Sequence, residues 1–176
     1  GGLSASTVDD IIYAIGGLSP QAVEAYDPKT DTWKKKANMP PASVFALSTS
    51  VVDGIIYTIG GGWPGAAGIS NVFAYDPKAD TWTRKADMPT PRMGPSASVV
   101  GGIIYVIGGT PFGGGPGLSI VEAYNPATDT WVAKTAMPTA RKYPAGCAVA
   151  GNIYIIGGMQ AGAGPVPRRC ARPAGG

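Results

Sequence analysis

Trp33, Trp82 and Trp131 fall at equal steps of 49 positions (33 to 82, 82 to 131), and so do Tyr26, Tyr75 and Tyr124. Each pair sits in one nine-residue stretch: AYDPKTDTW at 25–33, AYDPKADTW at 74–82 and AYNPATDTW at 123–131. One such stretch could be taken for an acidic, hydroxyl-bearing ligand loop. Three at constant spacing mark a structural unit, because a chain that repeats a unit of 20–50 residues buries its core by stacking neighbouring copies.

A second motif precedes each copy and follows the last: IIYAIGG at 11–17, IIYTIGG at 55–61, IIYVIGG at 103–109 and NIYIIGG at 152–158. The period, the double glycine and the following Tyr and Trp together resemble the kelch repeat, over about residues 5–158. The resemblance implies an all-β fold, a β-propeller of four-stranded antiparallel blades. The anchors it implies are Gly16, Gly17, Tyr26 and Trp33 in the first repeat, and Gly60, Gly61, Tyr75 and Trp82 in the second. Gly108, Gly109, Tyr124 and Trp131 follow in the third, and Gly157 and Gly158 in a partial fourth.

The residues read the same way without the family. IIYTI is a short apolar run rich in β-branched and aromatic residues, as expected of a strand covered on both faces. STSVV and SASVV precede the central two of these runs, and the links Asp53-Gly54 and Gly101-Gly102 suit two-residue hairpin turns with positive φ. These predict strands a and b. VFAY and VEAY open strand c, Asp27-Pro28, Asp76-Pro77 and Asn125-Pro126 offer a type I turn, and strand d begins at each Thr-Trp. The double glycines are expected to clear space for the Tyr or Trp of the blade sheet. Blades are expected over about 5–40, 43–89 and 92–138, a partial blade over 141–158, and a disordered Gly/Pro/Arg-rich tail over 159–176.

Three blades and a hairpin fall below the four to eight of ordinary propellers. The ring is therefore expected to be part of a longer propeller, with open ends that expose apolar side chains and favour self-association, concentration-dependent in sedimentation.

Charge and composition narrow the function. The net charge of +3 comes from Arg168, Arg169 and Arg172; without them, 11 basic residues face 11 acidic ones. A neutral repeat body lacks the footprint of a nucleic-acid binder. Lys34-Lys35-Lys36 on strand d is read as a solvated edge that discourages sheet pairing. The longest apolar run is far short of a bilayer span, so no membrane partner is expected. Cys147 aligns with Ser98 and is read as a small buried residue, while Cys170 lies in the tail.

The sequence contains no His, which removes imidazole-based triads and most zinc sites, along with the copper sites that kelch-like oxidases build on His. Glu24 and Glu122 are expected to alternate outward from strand c rather than act as acid or base. GGG at 113–115 precedes no helix and is not a phosphate loop. Neither an enzyme nor a cofactor is expected.

What remains is a binding surface. In an up-and-down blade the b–c and d–a connections share one face. The b–c loops vary: LSPQ (18–21), GWPGAAGIS (62–70) and TPFGGGPGLS (110–119). Variable loops on a fixed scaffold are where recognition resides. The d–a connections PPASVF, PTPRMGP and PTARKYP bring Arg92, Arg141, Lys142 and Tyr143 to the same side, and Trp63 and Phe112 are non-repeating loop aromatics.

Arg92 and Arg141 occupy one repeat position, where Ser43 replaces them, so a structural role in capping carbonyls or pairing between blades competes with ligand contact. Met39, Met88 and Met137 are expected as apolar plugs under the d–a loops. The resemblance implies a protein partner bound at this face. The alternative is part of a carbohydrate-binding or carbohydrate-modifying propeller.

Overall fold

The structure is a computed structural model that describes residues 2–17, 21–41, 45–63, 65–113 and 115–160. Residues 161–176 of the tail expected to be disordered, Cys170 among them, fall outside these residues, as do Ser43 and most of the LSPQ loop, whereas Met159 of that tail pairs with Lys142. Every regular element described is a strand, and among the described residues no helix is long and apolar enough to cross a membrane.

The first sheet is an antiparallel meander of β1 (Leu3–Val8), β2 (Ile11–Gly16), β3 (Val23–Asp27) and β4 (Thr32–Lys35). The second repeats it with β5 (Ser48–Val52), β6 (Ile55–Ile59), β7 (Val72–Asp76) and β8 (Thr81–Lys85). The third comprises β9 (Ser96–Val100), β10 (Ile103–Ile107), β11 (Val121–Asn125) and β12 (Thr130–Lys134). A hairpin of β13 (Ala145–Val149) and β14 (Asn152–Ile156) ends the described chain. These are three propeller blades and the a–b half of a further one.

Local chemistry closes each turn. The a–b links are two-residue turns with both φ values positive, as at Asp53 (51°) and Gly54 (76°), the conformation that matches strand twist. At the c–d turns the Asx carboxyl or amide oxygen accepts the amide two residues on: Lys29 N donates to Asp27 Oδ1 at 2.8 Å, and Ala127 N to Asn125 Oδ1 at 3.0 Å. The turn then leaves through Asp31, Asp80 or Asp129, each with φ between 53° and 55°.

The blades stack through their inner strands, β1 on β5, β5 on β9 and β9 on β13. Cores lie between blades as well as within them. Ile56 and Tyr75 of the second blade pack with Tyr13 and Ile15 of the first, and Ile104 and Tyr124 of the third pack with Tyr57 and Ile59 of the second. The tyrosines meet edge to face at 6.0 Å (Tyr13–Tyr75) and 5.9 Å (Tyr57–Tyr124), a favoured aromatic geometry. Met39, Met88 and Met137 are buried beneath the d–a connections, as plugs of apolar, adaptable shape.

The double glycines serve a different purpose from the one expected. A Cβ on Gly60 would lie 2.6 Å from the Arg92 carbonyl oxygen, and one on Gly108 would lie 2.6 Å from that of Arg141. Both have positive φ, 64° and 67°. The space they leave is taken by the backbone of the d–a connection, not by Tyr or Trp, because strand b must end flush against that connection.

Cys147 also departs from expectation: it is exposed, although its counterparts Ser50 and Ser98 are buried. Those two face a following blade. Cys147 stands on the last described inner strand.

Candidate protein-interaction surface

The repeated AYDPKTDTW stretch is built for joining blades. Tyr75 Oη donates to Asp80 Oδ1 at 2.5 Å, and the same oxygen accepts the amide of Ala37 from the preceding blade at 2.9 Å. Trp82 Nε1 donates to the Ala37 carbonyl at 3.0 Å. The third blade repeats every contact on the second: Tyr124 to Asp129 at 2.6 Å, Ala86 N to Asp129 at 2.9 Å, and Trp131 Nε1 to Ala86 O at 3.0 Å. Each Tyr–Asp–Trp group thus grips both backbone polar groups of a single alanine just beyond the previous strand d, Ala37 after β4 and Ala86 after β8.

These contacts tune the ionisable groups. The Tyr75 and Tyr124 hydroxyls are pushed well above their ordinary value, first by burial and then by the bonds to Asp80 and Asp129. Those carboxyls are held below theirs, chiefly by the tyrosine hydroxyls and next by the Ala37 and Ala86 amides. In the first blade the group is present but grips nothing among the described residues: Tyr26 donates to Asp31 at 2.8 Å, while Trp33 is 58% exposed.

On the loop face the connections of adjacent blades are stitched by backbone bonds. Gly68 N donates to Pro111 O at 2.7 Å and Gly113 N to Ala66 O at 3.3 Å, and Ala67 bridges Phe112, so the b–c loops of the second and third blades run together. Met93 and Thr110 exchange bonds at 2.8 and 2.9 Å. Nearer the inner strands a relay of amides crosses three junctions: Ala46 N to Gly2 O at 3.0 Å, Gly94 N to Ala46 O at 2.7 Å, and Tyr143 N to Gly94 O at 2.9 Å.

Ala46, Gly94 and Tyr143 all have left-handed φ, 54°, 55° and 53°. For a bulky tyrosine this conformation is strained, and its ring covers the Cα of Gly94, where a Cβ would lie 2.2 Å from it.

The sequence-derived surface residues therefore separate into two groups. Trp63 (54% exposed), Phe112 (50%) and Tyr143 (38%) lie on the surface, and Lys142 Nζ reaches across to the Gly115 carbonyl at 2.9 Å. Arg92 is fully buried. Its Nη1 meets Glu122 Oε2 at 2.6 Å and the Thr90 carbonyl at 3.0 Å, its Nη2 donates to Val106 O at 3.1 Å, and Thr90 Oγ1 donates to Glu122 Oε1 at 2.7 Å. Burial pulls the guanidinium below its ordinary value while Glu122 opposes the shift. Arg141 is also buried and caps the Gly157 carbonyl at 2.7 Å.

Glu122 accordingly corrects the outward assignment: it points inward to Arg92, whereas Glu24, with no ion-pair partner among the described residues, is exposed. The signal was present in the second repeat, where the Arg position is Ser43 and the Glu position is Phe73. Both charges are absent together there. Among the described residues no group of three or more Cys, Asp or Glu side chains is placed to hold a metal.

Residues 2–166 match the family description "KLHDC2/KLHL20/DRC7 Kelch-repeats domain". No curated protein matches the chain.

Proposed function

We infer, from the premise that this chain belongs to the kelch-repeat family, that it is a non-enzymatic scaffold whose b–c and d–a loop face binds a protein partner. Kelch domains typically bind proteins, and the family is generally non-catalytic. The observation that carries the choice of face is the pair of exposed aromatics, Trp63 and Phe112, on b–c loops that backbone hydrogen bonds join across adjacent blades. Large, rigid, exposed aromatic side chains make effective binding anchors, because little conformational entropy is lost when they are covered. Tyr143 and Lys142 extend the same surface toward the last hairpin.

The test is affinity for the captured partner with and without these anchors. Trp63→Ala or Phe112→Ala is expected to weaken binding by about 2 kcal/mol while leaving the urea unfolding midpoint unchanged. Binding should survive metal chelation. Partner binding that persists after all three b–c loops are replaced by Leu-Ser-Pro-Gln would place the interaction elsewhere.

A further inference from the structure

Trp63 and Phe112 are presented in the same way. The Trp63 carbonyl accepts the Ala66 amide at 3.0 Å, and the Phe112 carbonyl accepts the Gly115 amide at 2.9 Å. Thr110 Oγ1 also donates to the Phe112 carbonyl, at 2.8 Å. The Phe112 ring leans on the far end of its own turn, since a Cβ on Gly115 would lie 3.1 Å from the ring atoms Cε2 and Cζ. The position of Gly115 therefore governs where the ring can lie.

The closing residue of each turn is held from the side of the next blade. Gly113 N donates to Ala66 O at 3.3 Å, a bond between backbones. Gly115 O instead accepts from a side chain, Lys142 Nζ, at 2.9 Å. Lys142 stands where the other d–a connections have Phe45 and Met93: each of the three bridges the residue that follows a double glycine, Gly62, Thr110 or Met159. Both counterparts are apolar. Met93 is fully buried, and its Cγ would lie 3.2 Å from a Cβ on Gly62, the residue before Trp63. This repeat position thus braces the b–c loop of the preceding blade, by apolar contact under Trp63 and by an ammonium beside Phe112. Two bonds to Met159, at 3.0 and 2.8 Å, pin the Lys142 backbone, and the half-buried side chain has no carboxylate within ion-pair distance among the described residues.

We propose that Lys142 is a positioning residue: its ammonium straps the Gly115 carbonyl and so fixes the direction in which Phe112 is presented to a partner. The role in binding rests on the loop-face reading above; the strap itself does not. A charged donor makes a stronger bond than the 3.3 Å amide contact on Ala66, so the Phe112 turn is the more firmly held of the two. Order established before binding lowers the entropy cost of covering the ring.

The test compares Lys142→Met, which restores the residue type of Met93, with Lys142→Arg, which keeps a charged donor. In Lys142→Met the Gly115 amide should exchange with solvent on the order of tenfold faster, as for loss of one hydrogen bond to a charged group, with the Ala66 amide and the urea midpoint unchanged. Lys142→Arg should bring the exchange rate back. The unaltered protein gives a reading that needs no variant: by nitrogen relaxation, the Lys142 ammonium should reorient more slowly than those of the exposed Lys34 and Lys35. With the captured partner, Lys142→Met should weaken binding severalfold, and should add nothing in a chain that already carries Phe112→Ala.

Gly115 exchange that ignores Lys142→Met, acceleration shared equally by Ala66, or a Lys142 ammonium as mobile as that of Lys34 would overturn the strap. Additive losses in the double variant would make Lys142 a direct contact and overturn its positioning role. A partner indifferent to Phe112→Ala overturns the loop-face reading instead, and the strap is then decided by Gly115 exchange alone.

Discussion

Arg92 and Glu122 form an ion pair at 2.6 Å that is sealed from solvent beneath the loop face, between the d–a connection and strand β11 of one blade. Removing one partner strands the other charge in the interior, whereas removing both does not. Arg92→Ser or Glu122→Phe alone is expected to destabilise the fold by about 3–5 kcal/mol in urea unfolding. The double variant Arg92→Ser, Glu122→Phe copies the arrangement of the second repeat and should recover a large part of that loss. Additive losses in the double variant would show that the two side chains do not act as a pair.

The indole bonds between blades give a position-dependent prediction. Trp82→Phe removes the hydrogen bond to Ala37 O and should cost about 1 kcal/mol, with a similar cost for Trp131→Phe. The same change at Trp33 should be close to neutral, because that indole is exposed and bonds to no other blade among the described residues. Three thermal melts decide the matter. Equal costs at all three sites would show that the tryptophans act only within their own blades.

Gly108 and Gly102 both have positive φ, 67° and 76°, yet their surroundings differ. A methyl at Gly108 would meet the Arg141 carbonyl at 2.6 Å, while one at Gly102 meets nothing within 4 Å. Gly102→Ala is therefore expected to cost only the left-handed conformation, about 1–2 kcal/mol. Gly108→Ala should cost clearly more and expose the buried Arg141. Urea midpoints of the two variants provide the comparison.

Acid stability should depend on Asp80 and Asp129. Their folded-state values lie below the unfolded one, so their contribution is fully present above about pH 4 and is lost as the pH falls through the depressed folded values. The unfolding midpoint should drop in that window. Asp80→Asn should lower the plateau and flatten the acid limb. At the other extreme, Tyr75 and Tyr124 are raised, so their contribution holds below about pH 10 and fades as the pH rises through their folded values.

Most of the architecture was legible because it is encoded over short distances. The runs IIYTI and IIYVI, the links Asp53-Gly54 and Gly101-Gly102, and the Asx-Pro turns each dictate a local conformation. Repeating them at a constant step dictates a stack of like blades. The exposed loop aromatics Trp63 and Phe112 were legible for a related reason: they break the repeat, so the scaffold does not require them.

Tertiary structure decided what joins residues thirty or more positions apart. Sequence periodicity shows that Tyr75, Asp80 and Trp82 recur. It does not show that their polar atoms close on Ala37 of the blade before, since that depends on how two twisted sheets meet. The same limit hid the burial of Glu122, which alternation along a strand would point outward in a half-solvated sheet. Propeller blades are covered on both faces, so an inward charge is decided by a partner such as Arg92 rather than by strand parity. Gly60 and Gly108 likewise read as relief for an aromatic ring until the path of the d–a backbone was in place. Cys147, whose counterparts Ser50 and Ser98 are buried with another blade following them, is exposed because burial in a stacked fold belongs to the neighbour and not to the residue.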